Sequence, residues 1–270
     1  MIHVSRCRAA RTAVRVCGAA LTIALTSGTA MAQRAAPPDS EEKITASITP
    51  YVWLTGFDGT ISVVDRSAAV SAGLADAIKN GNIGACASAE IRAGAAAILL
   101  DFSFANLTDA AAIPVGVADL TPVHAEIASA RLDAFIGYRI VDSERLALDL
   151  VGGVRITHFG PVLKFGPAVS TEEFTATDTW GDAVGGLQMI FRPSSAWWLA
   201  ARGDVGGEVP DEFGSSTSWQ LGAEVGRTLG KRTSLVAGYR ILHLRRDSND
   251  LHFSGGENGL QVGVRVGGAR

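Results

Sequence analysis

Ala130-Arg-Leu-Asp-Ala-Phe-Ile-Gly-Tyr-Arg-Ile140 decides the fold class. Ala130, Leu132, Ala134, Ile136, Tyr138 and Ile140 share one parity, and Arg131, Asp133, Phe135, Gly137 and Arg139 share the other. Successive side chains of a strand point to opposite faces, so this stretch has one apolar face and one mostly polar face. The same alternation recurs along the chain. Ile98, Leu100, Phe102 and Phe104 oppose Asp101, and Leu146, Leu148, Leu150, Val154 and Ile156 oppose Asp149 and Arg155. Leu199, Ala201 and Val205 oppose Arg202 and Asp204, and Trp219, Leu221, Ala223 and Val225 oppose Gln220 and Glu224. Leu235, Ala237, Tyr239 and Ile241 oppose Arg240, and Leu260, Val262, Val264 and Val266 oppose Gln261 and Arg265.

The pattern predicts ten strands, at 45–62, 82–92, 96–107, 121–140, 146–162, 177–191, 196–206, 216–229, 233–247 and 257–268. Ala93–Ala95, Asp142–Arg145, Arg192–Ser195 and Gly230–Arg232 are tight connections, whereas 63–81, 108–120, 163–176, 207–215 and 248–256 read as longer loops. Short turns at one end and long loops at the other are the layout of an up-and-down, all-β, antiparallel transmembrane barrel. About ten strands are expected, with eight or twelve as alternatives, short periplasmic turns and longer extracellular loops. A secreted sandwich or lipocalin-like barrel also alternates, and is the soluble alternative. Aromatic residues near strand ends favour the membrane form: Tyr51, Trp53, Phe57, Phe191, Trp197, Trp198, Phe213 and Trp219 are expected to form interfacial girdles. Within 67–80, Val70, Leu74, Ala77 and Ile78 fall at helical spacing and predict a short amphipathic helix at the barrel mouth.

Composition narrows the class. The 270 residues are 47% hydrophobic and 19% charged, with 31 glycines and a net charge of −3. So apolar a chain is not intrinsically disordered, and its net charge does not suit a nucleic-acid binder. Residues 1–32 read as a secretory signal peptide. Arg6, Arg8, Arg11 and Arg15 form its basic start, an apolar stretch runs from Gly18 to Gly28, and Ala30-Met-Ala32 is the cleavage site. Cleavage after Ala32 removes four of 24 basic residues and none of the 27 acidic ones, taking the net charge to −7. It also leaves Cys86 as the one cysteine, which rules out an internal disulfide. A flexible lead-in at 33–43 then precedes a barrel domain at 44–268.

Several short motifs resemble outer-membrane β-barrel proteins of Gram-negative bacteria, and in particular a family of small barrels of the OmpA-like transmembrane type. They are Thr49-Pro-Tyr-Val-Trp-Leu-Thr-Gly-Phe-Asp-Gly-Thr60, Gly137-Tyr-Arg-Ile140, Gly153-Val-Arg-Ile156, Arg202-Gly-Asp-Val-Gly-Gly207, Trp219-Gln-Leu-Gly-Ala223 and Gly238-Tyr-Arg-Ile-Leu242. The resemblance covers about 45–268 and implies an outer-membrane location with no catalytic motif. Such barrels commonly end on an aromatic residue, whereas this sequence ends Val266-Gly-Gly-Ala-Arg270.

With the apolar faces toward lipid, the polar faces line the lumen. Seven acids (Glu90, Asp101, Asp133, Asp149, Asp182, Asp204 and Glu224) meet six arginines (Arg131, Arg139, Arg155, Arg202, Arg240 and Arg265). Ten strands enclose a narrow interior, where unpaired charges are costly. The charges are therefore expected to pair into a plug, with Arg131–Asp133 and Arg202–Asp204 as neighbours on one face; a narrow polar conduit is the alternative. No His-x-x-x-His, Cys-x-x-Cys, Gly-x-Ser-x-Gly or phosphate-loop motif is present, so no metal, cofactor or catalytic residue is expected. A lipid-modifying enzyme would need Ser and His together, and His158 with Ser170 or His243 with Ser248 are the available pairs. The expectation is a structural or weakly conducting outer-membrane barrel, with a loop-mediated binding or adhesion protein, a small-solute porin and a lipid-modifying enzyme as alternatives. Its expected partners are outer-membrane lipid, lipopolysaccharide and the assembly machinery, not nucleic acid.

Overall fold

Period-two alternation becomes a closed wall. The computed structural model describes residues 44–63, 66–80, 83–114, 123–166, 172–208, 214–248 and 251–267. The signal segment, its cleavage site and the lead-in at 33–43 lie outside the described residues. In chain order the elements are β1 (Ile44–Val63), β2 (Arg66–Ala72), α1 (Leu74–Asn80), β3 (Ile83–Ala93), β4 (Ala96–Pro114), β5 (Val123–Asp142), β6 (Leu146–Phe165), β7 (Glu172–Thr175), β8 (Asp178–Phe191), β9 (Trp197–Glu208), β10 (Gly214–Thr228), β11 (Thr233–Ser248) and β12 (Leu251–Gly267). Ten of these strands form an antiparallel barrel in the order β1-β3-β4-β5-β6-β8-β9-β10-β11-β12. It closes where β12 pairs β1, with Leu260 opposite Leu54 and Gly263 opposite Tyr51. At the β3–β4 turn, Gly94 takes φ 53°, a conformation that glycine adopts without steric cost. Among the described residues no helix is long and apolar enough to cross a membrane.

The two remaining strands are wall, not loop. β2 and β3 lie end to end along β1, β2 against Phe57–Val63 and β3 against Ile44–Leu54. β7 likewise continues the line of β8 along β6. The stretches 63–81 and 163–176, read as loops, thus carry β2, α1 and β7. β4 runs on to Pro114, and β12 begins at Leu251 rather than at 257. The helix expected over 67–80 forms only over Leu74–Asn80. β2 takes the rest because β1 and β4 flank it, each offering ladder partners that a helix would forgo.

Several long strands change their hydrophobic phase part-way along. On β6, Leu150, Val154 and Ile156 point outward and are exposed, yet further on Phe159 and Leu163, of the opposite parity, are buried inside. On β1 the outward apolar residues Ile44, Ile48 and Val52 give way to inward Phe57, Ile61 and Val63. β11 switches from outward Leu235 and Tyr239 to inward Leu242 and Leu244, and β12 from outward Val266–Leu260 to inward Phe253 and Leu251. In the short-turn half the barrel is therefore apolar outside and mostly polar inside, around a small apolar cluster of Leu99, Phe135, Val151 and Val184. In the far half it is polar outside, with Asp58, Thr60, His124 and Ser254 on the outer face, and mostly apolar inside, with Arg246 and Glu257 among its buried groups. About 9–11 tilted residues suffice to cross a bilayer. β6, at 20 residues, is long enough to cross and then project well beyond.

The girdle expectation holds for part of its set. Phe191, Trp197 and Trp219 are outward and exposed, and Tyr138 and Tyr239 join them. Trp53 and Phe57 are instead buried in the lumen, Tyr51 donates a hydrogen bond to Asp101 there, and Trp198 turns inward to pack over Gly226. Odd positions of β1 and even positions of β9 face inward, and parity overrides nearness to a strand end. The side chain of Phe213 lies outside the described residues.

Candidate functional site

The candidate site is the lumen, filled by side chains that meet across it. All thirteen charged residues assigned to it from the sequence stand on inward positions of their strands. At its centre Arg155 of β6 is fully buried. Its Nε and Nη2 donate to the two carboxylate oxygens of Asp133 at 2.9 and 3.2 Å, Nη2 also reaches Asp204 at 2.8 Å, and Nη1 reaches the Ser218 hydroxyl at 3.2 Å. A guanidinium presents five donors in a fixed fork, so one arginine can tie β5, β9 and β10 to β6. Arg202 bonds Asp204 at 3.2 Å and lies 4.1 Å above the Phe135 ring. Arg240 pairs with Asp101 across the lumen at 3.1 Å and lies 4.2 Å from the Trp53 ring.

Toward the short turns Asp149 accepts from Arg92 at 2.6 Å and from Arg139 at 2.9 Å. Glu90 pairs with Arg92 at 3.0 Å and with Arg265 at 3.3 Å. Toward the far end Arg131 meets Glu257 at 3.5 Å, and Glu257 also accepts from Ser129 at 2.7 Å. Arg246 bridges Asp178 and Glu208 at 2.8 and 2.9 Å. Level with the Arg246 cluster lies the apolar plug, with Arg246 opposite Phe253 and Asp178 opposite Phe159 in register. Phe159 of β6 stacks on Phe253 of β12 with centroids 4.4 Å apart, and Phe57 of β1 stands 5.7 Å from Phe253. β6 and β12 lie on opposite sides of the ring with four strands between them either way, so this contact spans the whole lumen.

Two expectations need correcting. Arg131 and Asp133 do not pair with each other: Arg131 crosses to Glu257, and Asp133 takes Arg155, which stands directly opposite it on the neighbouring strand β6. The charges are not all in ion pairs. Among the described residues Asp182 is bonded only by the Ser216 hydroxyl, and Glu224 only by Gln261 at 3.4 Å. Arg155, opposite Asp182 in register, is already committed to Asp133 and Asp204. Of the two Ser–His pairs, His243 and Ser248 are not brought together. His243 stacks outward on Trp219, and Ser248, five residues along β11 and so on the other face, donates to the Leu251 carbonyl. His158 points outward to Thr179 at 2.8 Å, and Ser170 lies outside the described residues.

Arg92, Asp178, Glu208, Arg246 and Glu257 were missed, although each lies an even number of residues from a lumenal group on its own strand. Carrying the parity to the strand ends finds all five. The apolar plug carries the same signal in the opposite phase.

With this geometry in hand, comparisons place the fold. No family model matches the sequence, and no curated protein does. Among solved structures, the outer membrane protease OmpT from Escherichia coli superposes with a TM-score of 0.60 at 6% identity, over 83% of this chain and 97% of that one. The likeness is one of fold. The transport unit of the autotransporter AIDA-I from Escherichia coli (TM-score 0.42, 8% identity, 85% and 93% of the two chains) and Neisserial surface protein A (0.35, 13%, 83% and 99%) superpose too loosely to argue from.

Proposed function

We propose that this chain is an integral outer-membrane β-barrel protein whose lumen is sealed, so that it is structural or at most weakly conducting. The observation that carries the reading is the phase switch: an exposed apolar belt over one half of the wall, ending where the interior turns from charged to apolar. A soluble protein does not leave so continuous a band of large apolar side chains in water. Lipid outside one half and water outside the other account for both phases. In this reading the signal segment is cleaved after Ala32, lipid and lipopolysaccharide surround the belt, and the assembly machinery inserts the barrel. The proposal includes no catalytic role, cofactor or nucleic acid.

The test has two arms. Fractionation is expected to find the protein with the outer membrane, and recovery as a soluble periplasmic species overturns the reading. Purified protein in planar bilayers is expected to show little steady conductance, and a large, stable, ohmic current overturns the seal. A second reading is favoured by the projecting half alone: long paired strands around the Phe57–Phe159–Phe253 stack make a rigid platform for binding at the far end.

A further inference from the structure

The outward belt of the short-turn half is uncharged but for one residue. From Ile44 to Leu54 on β1, from Leu146 to Ile156 on β6 and at the matching heights of the other strands, outward positions carry no charge. Among the described residues the exception is Arg227, second from last on β10. Asp142, the last residue of β5, lies past the belt and pairs with Arg139. Arg227 has the parity of Trp219, Leu221 and Val225, which are exposed on the outer face. In register it stands between Trp197 of β9 and Leu235 of β11, both outward and exposed. Its guanidinium lies 5.4 Å from the centre of the Trp197 ring, so it is held along the outer face and not turned into the lumen.

That cation has nothing on the protein to neutralise it. Among the described residues its side chain has no ion pair and no hydrogen-bond acceptor. The adjoining turns add charge of the same sign. Residues 192–196 and 229–232 include Arg192, Lys231 and Arg232 and no acid, and Thr228 N donates to the Ala196 carbonyl at 2.9 Å, which holds the two turns together. Lys231 and Arg232 are exposed and likewise have no ion pair among the described residues. An arginine on a lipid face is tolerated at the interface and costly toward the midplane, which sets Arg227 at the level of the headgroups. A guanidinium stacked on an indole keeps its edge donors free, and two of them match two oxygens of a phosphate. We propose that Arg227, seated on Trp197, binds the phosphate of an anionic phospholipid, with Lys231 and Arg232 adding to the attraction. The acyl chains then run along Val225 and Leu235 on the outer face. Short turns face the periplasm in the outer-membrane reading, so the lipid belongs to the periplasmic leaflet.

The inference rests on the outer-membrane reading for its leaflet, but lipid uptake in detergent is measured apart from fractionation and conductance, so either can fail alone. Native mass spectrometry of the full folded protein in non-ionic detergent, titrated with phosphatidylglycerol or with diacylglycerol of the same chains, tests it. Phosphatidylglycerol is expected to be retained about tenfold more than diacylglycerol, the worth of one charge-assisted contact. Arg227→Gln is expected to remove that preference. Trp197→Leu keeps an apolar side chain but loses the ring under the cation, and is expected to weaken retention about threefold. Lys79→Gln removes an exposed cation on α1, beyond the far end of β3, and is expected to leave retention unchanged. Millimolar inorganic phosphate is expected not to displace the lipid. Equal retention of the two lipids, retention unchanged in Arg227→Gln or in Trp197→Leu, a loss in Lys79→Gln as large as in Arg227→Gln, or displacement by inorganic phosphate overturns the proposal.

Discussion

Arg155 shows what a single side chain does in this lumen. It is fully buried and bound to two carboxylates and a hydroxyl, so its removal leaves Asp133 and Asp204 in a low-dielectric interior with fewer donors. Breaking a buried ion pair from one side costs about 3–5 kcal/mol, whereas replacing the whole cluster with apolar groups of similar volume can be neutral. Arg155→Ala is therefore expected to destabilise the folded barrel by about that much, read from denaturant unfolding in detergent. Arg155→Met combined with Asp133→Asn and Asp204→Asn is expected to lose less than Arg155→Ala alone. A triple variant weaker than the single one would show that the charges themselves, and not their pairing, support the fold. Arg240→Ala, which leaves Asp101 with the Tyr51 hydroxyl but no cation and uncovers Trp53, is expected to lower the heat stability in the same direction.

At the scale of the element, β6 carries both hydrophobic phases and both environments. Leu150 is 54% exposed in the middle of its outward apolar run, and Asp149 beside it is buried between Arg92 and Arg139. An arginine at the midplane of the lipid face costs about 2–4 kcal/mol, falling to about 0–1 near the interface. Leu150→Arg is expected to impair assembly on that scale, while His158→Arg, beyond the apolar run on the same outer face, is expected to be tolerated. Folded yield after refolding into vesicles reads both. Equal tolerance at the two positions would move the boundary away from the phase switch. Asp149→Asn weakens Arg92 and Arg139 but leaves the lipid contact intact, so its cost is expected in stability rather than in membrane insertion.

On the scale of the molecule, two layers of side chains cross the lumen in series: a charged layer around Arg155 and an apolar stack around Phe159. Truncating a buried phenylalanine costs about 3–5 kcal/mol and leaves a void. Phe159→Ala is accordingly expected to lower stability, yet to leave planar-bilayer conductance near that of the parent, because the Arg155 layer below remains closed. Ohmic conductance from that single variant would mean that the apolar stack alone holds the barrel shut.

Much of this was legible in the sequence, because a wall between two solvents writes its faces into alternate residues. Parity alone told Leu150 from Asp149 and Leu132 from Arg131, and the count of ten strands followed from it. The short turns could be read too, since Gly94 and Pro193 punctuate the pattern. The opposite phase at Phe57, Phe159 and Phe253 is also present in the sequence, but it is legible only when the strands are carried past the outward apolar belt. Tertiary structure alone decided which charges meet. Partners such as Arg240 and Asp101 are 139 residues apart and lie on strands separated by several others. Spacing along a strand says only that two groups face the same lumen. Closure of the ring brings one group opposite another, as it brings Arg240 of β11 to Asp101 of β4.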